Sequence, residues 1–113
     1  MKSVLILLPL LASAAFAQTN TGDAVNGKRL FMRNGCYQCH GTVGQGGLAG
    51  PRLAQTTLVQ AGFISYVRNP RPGNMPPYRG KVMTDQELAD VYAYVRSIPP
   101  PVPLANIPLL NQP

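Results

Sequence analysis

The sequence predicts a small all-α domain, on three observations: a capped segment near the start, an apolar helical pattern in the middle, and a sharply bounded helical repeat near the end. The first segment runs from Asp23 to Asn34, with Asp23 as a candidate N-cap. Ala24, Gly27, Leu30 and Phe31 share its apolar face. Gly35 ends it as a C′ residue and turns the chain into Cys36. A glycine inside a helix costs ~1 kcal/mol against alanine. Gly27 on the apolar face therefore predicts close approach by another helix.

The second segment, Leu58 to Arg68, has Leu58, Ala61, Phe63, Ile64 and Val67 as its apolar face and Thr57 as its expected cap. Asn69-Pro70 stops it, because proline disfavours helical backbone in the residue before it. The third begins at Thr84-Asp85-Gln86-Glu87, a capping box with Thr84 at the cap and Glu87 at N3. Leu88, Val91, Tyr92 and Val95 follow at helical spacing, and Pro99 to Pro101 end it. Gly41 to Gly50 holds five glycines and reads as a flexible loop without the phosphate-binding pattern. Arg71 to Lys81 is an irregular loop containing Pro72, Pro76 and Pro77. Residues 99–113 hold six of the chain's 12 prolines and are expected to be extended. Its apolar Ile107-Pro108-Leu109-Leu110 reads as a strap over the domain's own surface, or else as a docking segment.

Residues 1–17 read as a removable secretory signal. Lys2 is the positive start, Val4 to Leu11 the apolar run, and Ala15-Phe16-Ala17 an A-x-A cleavage site. The run is shorter than the ~20 residues that span a bilayer. Residues 18–98 then form one exported, periplasmic domain, with 99–113 as its tail. A domain of that length buries roughly 60–70% of its unfolded surface.

Cys36-Tyr37-Gln38-Cys39-His40 carries the chemistry. C-x-x-C-H is the attachment sequence of a c-type haem. Two intervening residues let both sulfurs reach vinyl groups on one edge of the macrocycle, and His40 then lies beneath the iron. A disulfide or a redox dithiol remains compatible with the five residues alone. A four-ligand zinc site does not, because Cys36, Cys39 and His40 exhaust the cysteines and histidines. Export favours haem, which is attached outside the bacterial cytoplasm.

The missing second histidine excludes a bis-histidine iron, so methionine is the expected sixth ligand. Met32 lies one turn before Cys36, too close to reach the opposite face. Met83 occupies N′ before the Thr84 cap and can pack on Leu88 as a hydrophobic staple. Met75, in Gly73-Asn74-Met75-Pro76-Pro77, sits in a loop narrowed by proline and is the expected ligand.

These residues resemble a class I c-type cytochrome of the small bacterial monohaem kind. The likeness covers roughly Asp23 to Ile98. It rests on Cys36-Tyr37-Gln38-Cys39-His40, Gly50-Pro51-Arg52-Leu53, Met75-Pro76 and Leu88 through Tyr94. It implies three to four helices wrapped around one covalent haem c. It also implies a crossing of the first and last helices at Gly27, Phe31 and Tyr94. It further implies that Pro51 offers its preceding or its own backbone to His40, where a carbonyl accepts the Nδ1 proton, and Arg52, Tyr78 and Arg79 as propionate partners.

The implied function is one-electron transfer between Fe(II) and Fe(III), with no enzyme activity. Acidic-surfaced redox proteins, a periplasmic dehydrogenase or a respiratory oxidase, are the expected partners. A labile sixth ligand would instead give a gas- or peroxide-reactive haem protein. Charge supports the carrier. Residues 18–113 hold nine Lys plus Arg against four acids, and no acid lies between Ala24 and Thr84. That stretch is expected to be uncompensated positive, either a surface that steers toward an acidic partner or a source of solubility with one or two arginines neutralising haem propionates. Nucleic acid is a poor partner for an exported chain.

Overall fold

The computed structural model describes residues 20–112, so the signal segment and the cleavage site at Ala17 lie outside the described residues. Four α-helices follow in order: α1 Ala24–Arg33, α2 Cys36–His40, α3 Gln60–Arg68 and α4 Asp85–Ser97. Among the described residues there is no strand. None of their helices is long and apolar enough to cross a membrane.

α1 starts as its sequence predicts. The Asp23 side chain accepts from the Val25 and Asn26 N–H groups, two donors that a helix start leaves unpaired. Asn34 caps the other end, and Gly35 takes the left-handed conformation at φ 78°. α4 carries the complete capping box: Glu87 N donates to Thr84 Oγ1 at 3.1 Å, and Thr84 N to Glu87 Oε2 at 2.9 Å.

α3 begins later than Leu58. Val59 is extended and is the N-cap residue, with no side-chain cap bond, so Thr57 caps nothing. The Thr56 hydroxyl takes the Leu58 N–H at 3.3 Å and holds the chain out of the helix. Of the expected apolar face only Phe63 is buried, with Ile64 and Val67 partly so.

α1 and α4 cross at close range, and the core forms around them: Leu30, Phe31, Phe63, Met83, Leu88, Val91, Tyr94 and Val95 are all buried. Gly27 makes the crossing possible. A Cβ there would overlap the Asp90 carbonyl and come within 2.9 Å of Tyr94 Cβ. One turn on, Phe31 meets Tyr94 edge to face, with ring centroids 5.4 Å apart and planes at 65°.

Asp90 ties the two helices from below. It is only 5% exposed. Its Oδ1 accepts from Asp23 N at 2.8 Å and Gln86 Nε2 at 3.0 Å, and its Oδ2 from Asn26 Nδ2 at 2.7 Å. Burial alone would raise the Asp90 pKa. The donors from Asp23, Asn26 and Gln86 outweigh it and hold the carboxyl below its ordinary value. A depressed folded-state pKa gives stability that is complete above the unfolded carboxylate value, ~3.9, and is lost as pH falls below it. Asp90→Ala should lower stability by about 2 kcal/mol at pH 7, the worth of charge-assisted bonds. The difference from wild type should shrink as denaturant midpoints are taken below about pH 4.

The tail does not strap the domain. Leu104–Asn106 and Pro108–Leu110 form two short 3-10 turns, and Leu104, Leu109 and Leu110 are exposed. Asn111 Nδ2 folds this segment on itself, donating to the Leu104, Ala105 and Ile107 carbonyls. Among the described residues, its hydrogen bonds to the domain lie at its start, from Gln55 Nε2 to the Ile98 and Pro99 carbonyls.

Candidate haem centre

The short helix α2 presents the pentapeptide. Gly35 turns the chain, and five residues of helix carry Cys36, Cys39 and His40 to the wall of one cavity of ≈ 670 Å³. Apolar side chains from the crossing helices and α3 build the rest of the wall, among them Phe31, Phe63, Val67, Leu88 and Val91. Small-molecule and cofactor pockets span ≈ 300–1,000 Å³ and are lined mainly by such residues.

Cys36 and Cys39 form no disulfide with each other. Burial pushes the Cys36 thiol above its ordinary value. Redox dithiols work through thiolates with lowered pKa, so this setting disfavours the dithiol reading. Among the described residues, no group of three or more His, Cys, Asp or Glu could hold a metal ion on its own.

His40 is buried, and its Nδ1 lies 2.7 Å from the Pro51 carbonyl oxygen. Nδ1–H donates there, so Nε2 keeps its lone pair for a ligand bond. The glycine-rich loop sets this contact and is a hydrogen-bonded turn rather than a loose span. Gly46 N donates to His40 O at 2.8 Å, Gly47 N to Gly50 O at 2.9 Å, and Leu53 N to Gly44 O at 2.8 Å. Gly50 lies against the ring: a Cβ there would come within 3.1 Å of His40 Cε1 and Nδ1. Tyr94 Oη fastens the loop to α4 through the Thr42 carbonyl at 3.1 Å.

Met75 and Met83 both line the cavity, whereas Met32 does not. Met83 is 1% exposed and lies in the core with Leu88, as its place before the cap predicts. Met75 is partly exposed and lies outside that core.

Two of the three expected propionate partners, Arg52 and Tyr78, are on the cavity wall. The Arg52 guanidinium donates to Gln55 Oε1 at 2.6 Å. Tyr78 Oη donates to the Asn34 carbonyl at 2.8 Å, so its proton is already used. Arg79 does not line the cavity; its carbonyl closes the turn to Val82 and Met83. Arg71 lines it instead.

The positive stretch is also less bare than its composition implies. Arg68 pairs with Asp85 at 2.5 Å and Arg33 with Glu87 at 3.4 Å, because the fold brings the acids of the α4 start against α1 and α3. Lys28, Arg29, Arg52, Arg71, Arg79 and Lys81 remain exposed.

Residues 22–95 match the protein family described as cytochrome c oxidase, cbb3-type, subunit III. The chain belongs to this family. It is a class I c-type cytochrome domain, of the kind that carries covalently bound haem c. The cytochrome domain is 34% identical over 76 residues to the cbb3-type cytochrome c oxidase subunit CcoP of Rubrivivax gelatinosus, covering 64% of this chain and 25% of that protein. It is 27% identical over 93 residues to cytochrome c-555 of Methylococcus capsulatus, covering 80% of this chain and 75% of that one. The chain thus spans a quarter of the CcoP relative's length. No solved structure matches it significantly.

Proposed function

We propose that this is a periplasmic one-electron carrier in which His40 and Met75 are the residues that would hold the haem iron. Cys36 and Cys39 are its covalent attachment points. One observation carries the reading: a single cavity gathers both cysteines, Met75, and a histidine whose Nδ1 is committed to Pro51 O. When bound, the haem supplies a reversible Fe(II)/Fe(III) couple, and His/Met ligation raises its potential. His40 contributes Nε2 in a fixed tautomer and ring plane. Met75 would contribute its thioether as the second protein ligand, which disfavours binding of oxygen, peroxide and substrate. Phe31, Phe63, Leu88 and Val91 keep the pocket apolar.

The oxidised protein should show a low-spin spectrum with a sulfur-to-iron charge-transfer band. A high-spin spectrum would support the gas- or peroxide-reactive alternative and overturn the closed site.

Electrons come from a periplasmic dehydrogenase or leave to a respiratory oxidase. The CcoP relative, named as an oxidase subunit, supports the second destination. The exposed Arg52, Arg71, Arg79 and Lys81 favour an acidic partner surface. Raising salt from 0.01 M to 0.15 M shortens the Debye length from about 30 Å to about 8 Å. Stopped-flow transfer rates with an acidic partner should fall over that range; flat rates count against charge steering.

A further inference from the structure

Arg68, the last residue of α3, is a cation by composition but not a solvated one. Its side chain is 17% exposed. Nη1 donates to the Tyr78 carbonyl at 2.7 Å and the Met83 carbonyl at 2.6 Å, while Nη2 meets Asp85 Oδ1 at 2.5 Å. The Tyr78 N–H returns to the Val67 carbonyl at 3.0 Å. The loop between Arg68 and Tyr78 is therefore closed at its stem by two hydrogen bonds, one from backbone and one from the guanidinium. Met75 lies inside that loop. Among the described residues, no hydrogen bond involves residues 70 through 77. The place of the Met75 sulfur is then set by the stem and by Pro70, Pro72, Pro76 and Pro77.

We propose that Arg68 is a positioning residue for Met75: its planar fork locks the loop stem to the start of α4 and so holds the thioether over the cavity. The inference rests on the ligation proposed above. Arg68 takes no part in the electron transfer itself; it sets how often the sulfur is detached. Removing a charged donor shared by two carbonyls should raise the detached fraction roughly tenfold. A competing ligand reads that fraction directly, because it binds only when the sulfur is off.

The test uses ferric holoprotein titrated with imidazole, with charge-transfer band and far-UV dichroism followed on heating. Arg68→Gln should bind imidazole roughly tenfold more tightly than wild type, and its band should melt below its helices. Arg68→Lys should fall between, since an ammonium offers donors but no rigid fork. Asp85→Asn, which leaves both carbonyl bonds in place, should stay within about twofold of wild type. Met75→Ala is the control and should lack the band. If Met75→Ala lacks it while Arg68→Gln matches wild type in imidazole affinity and melts in one step, the Arg68 role is overturned and the ligation stands. A band retained in Met75→Ala overturns both. If Arg68→Gln yields no holoprotein, Arg68→Lys decides: unchanged imidazole affinity overturns the role, and tighter binding supports it.

Discussion

Met75→Ala should abolish the sulfur-to-iron charge-transfer band and lower the reduction potential while leaving the domain folded. Met83→Ala should do the opposite. Both methionines line the cavity, so position on its wall does not separate them. Packing does. Met83 is 1% exposed within the core cluster, and its N–H and carbonyl are bonded to Arg79 O and Arg68 Nη1. Truncating a buried methionine costs about 2–5 kcal/mol through lost contacts and the cavity left behind. Met75 is partly exposed and outside that cluster, so little core packing is lost with it. The band and potential should therefore follow Met75, and the denaturation midpoint should follow Met83. A band lost only in Met83→Ala assigns the iron to Met83 and refutes the Met75 ligation.

Much of this arrangement was legible in the chain. Asp23 and Thr84 cap the helices their sequences announce, because local hydrogen bonding decides both ends. The Pro51 carbonyl lies 2.7 Å from His40 Nδ1, at one of the two backbone positions that the resemblance leaves open. What escaped depended on distant partners or on lengths too short to show a period. The helix over Cys36–His40 has five residues, less than two turns, and carries no repeat. Thr57 looked like a cap because its type suits one, yet Thr56 captures the adjacent N–H and delays α3 to Gln60. Arg68 counted as one more surface charge; its acceptors lie ten to 17 residues away and meet only after folding. The same long-range closure brings Asp85 and Glu87 against Arg68 and Arg33, which composition had left unpaired. A stem donor reaching carbonyls on the far side of a proline loop is a signal that spacing does not carry.

Gly27→Ala supplies the sharpest test of the fold, because two effects of opposite sign compete at one atom. Helix propensity favours alanine by ~1 kcal/mol, so at an open helix position the substitution should stabilise. Here the added Cβ would overlap the Asp90 carbonyl oxygen and carbon, which are backbone and cannot rotate away. Relief requires α1 and α4 to separate. That would stretch the two Asp90 hydrogen bonds that cross to Asp23 and Asn26 and pull Phe31 from Tyr94. Overpacking a tight contact costs typically 1–3 kcal/mol and more where backbone must move, so a net loss of about 3 kcal/mol is expected. Against a total stability of about 5–15 kcal/mol, the loss should appear as a large fall in denaturant midpoint at unchanged slope. The haem pocket lies between these same helices, so its walls should loosen together with the crossing. A midpoint that rises instead would mean the helices do not meet at Gly27, and the cavity built on their crossing would have to be redrawn.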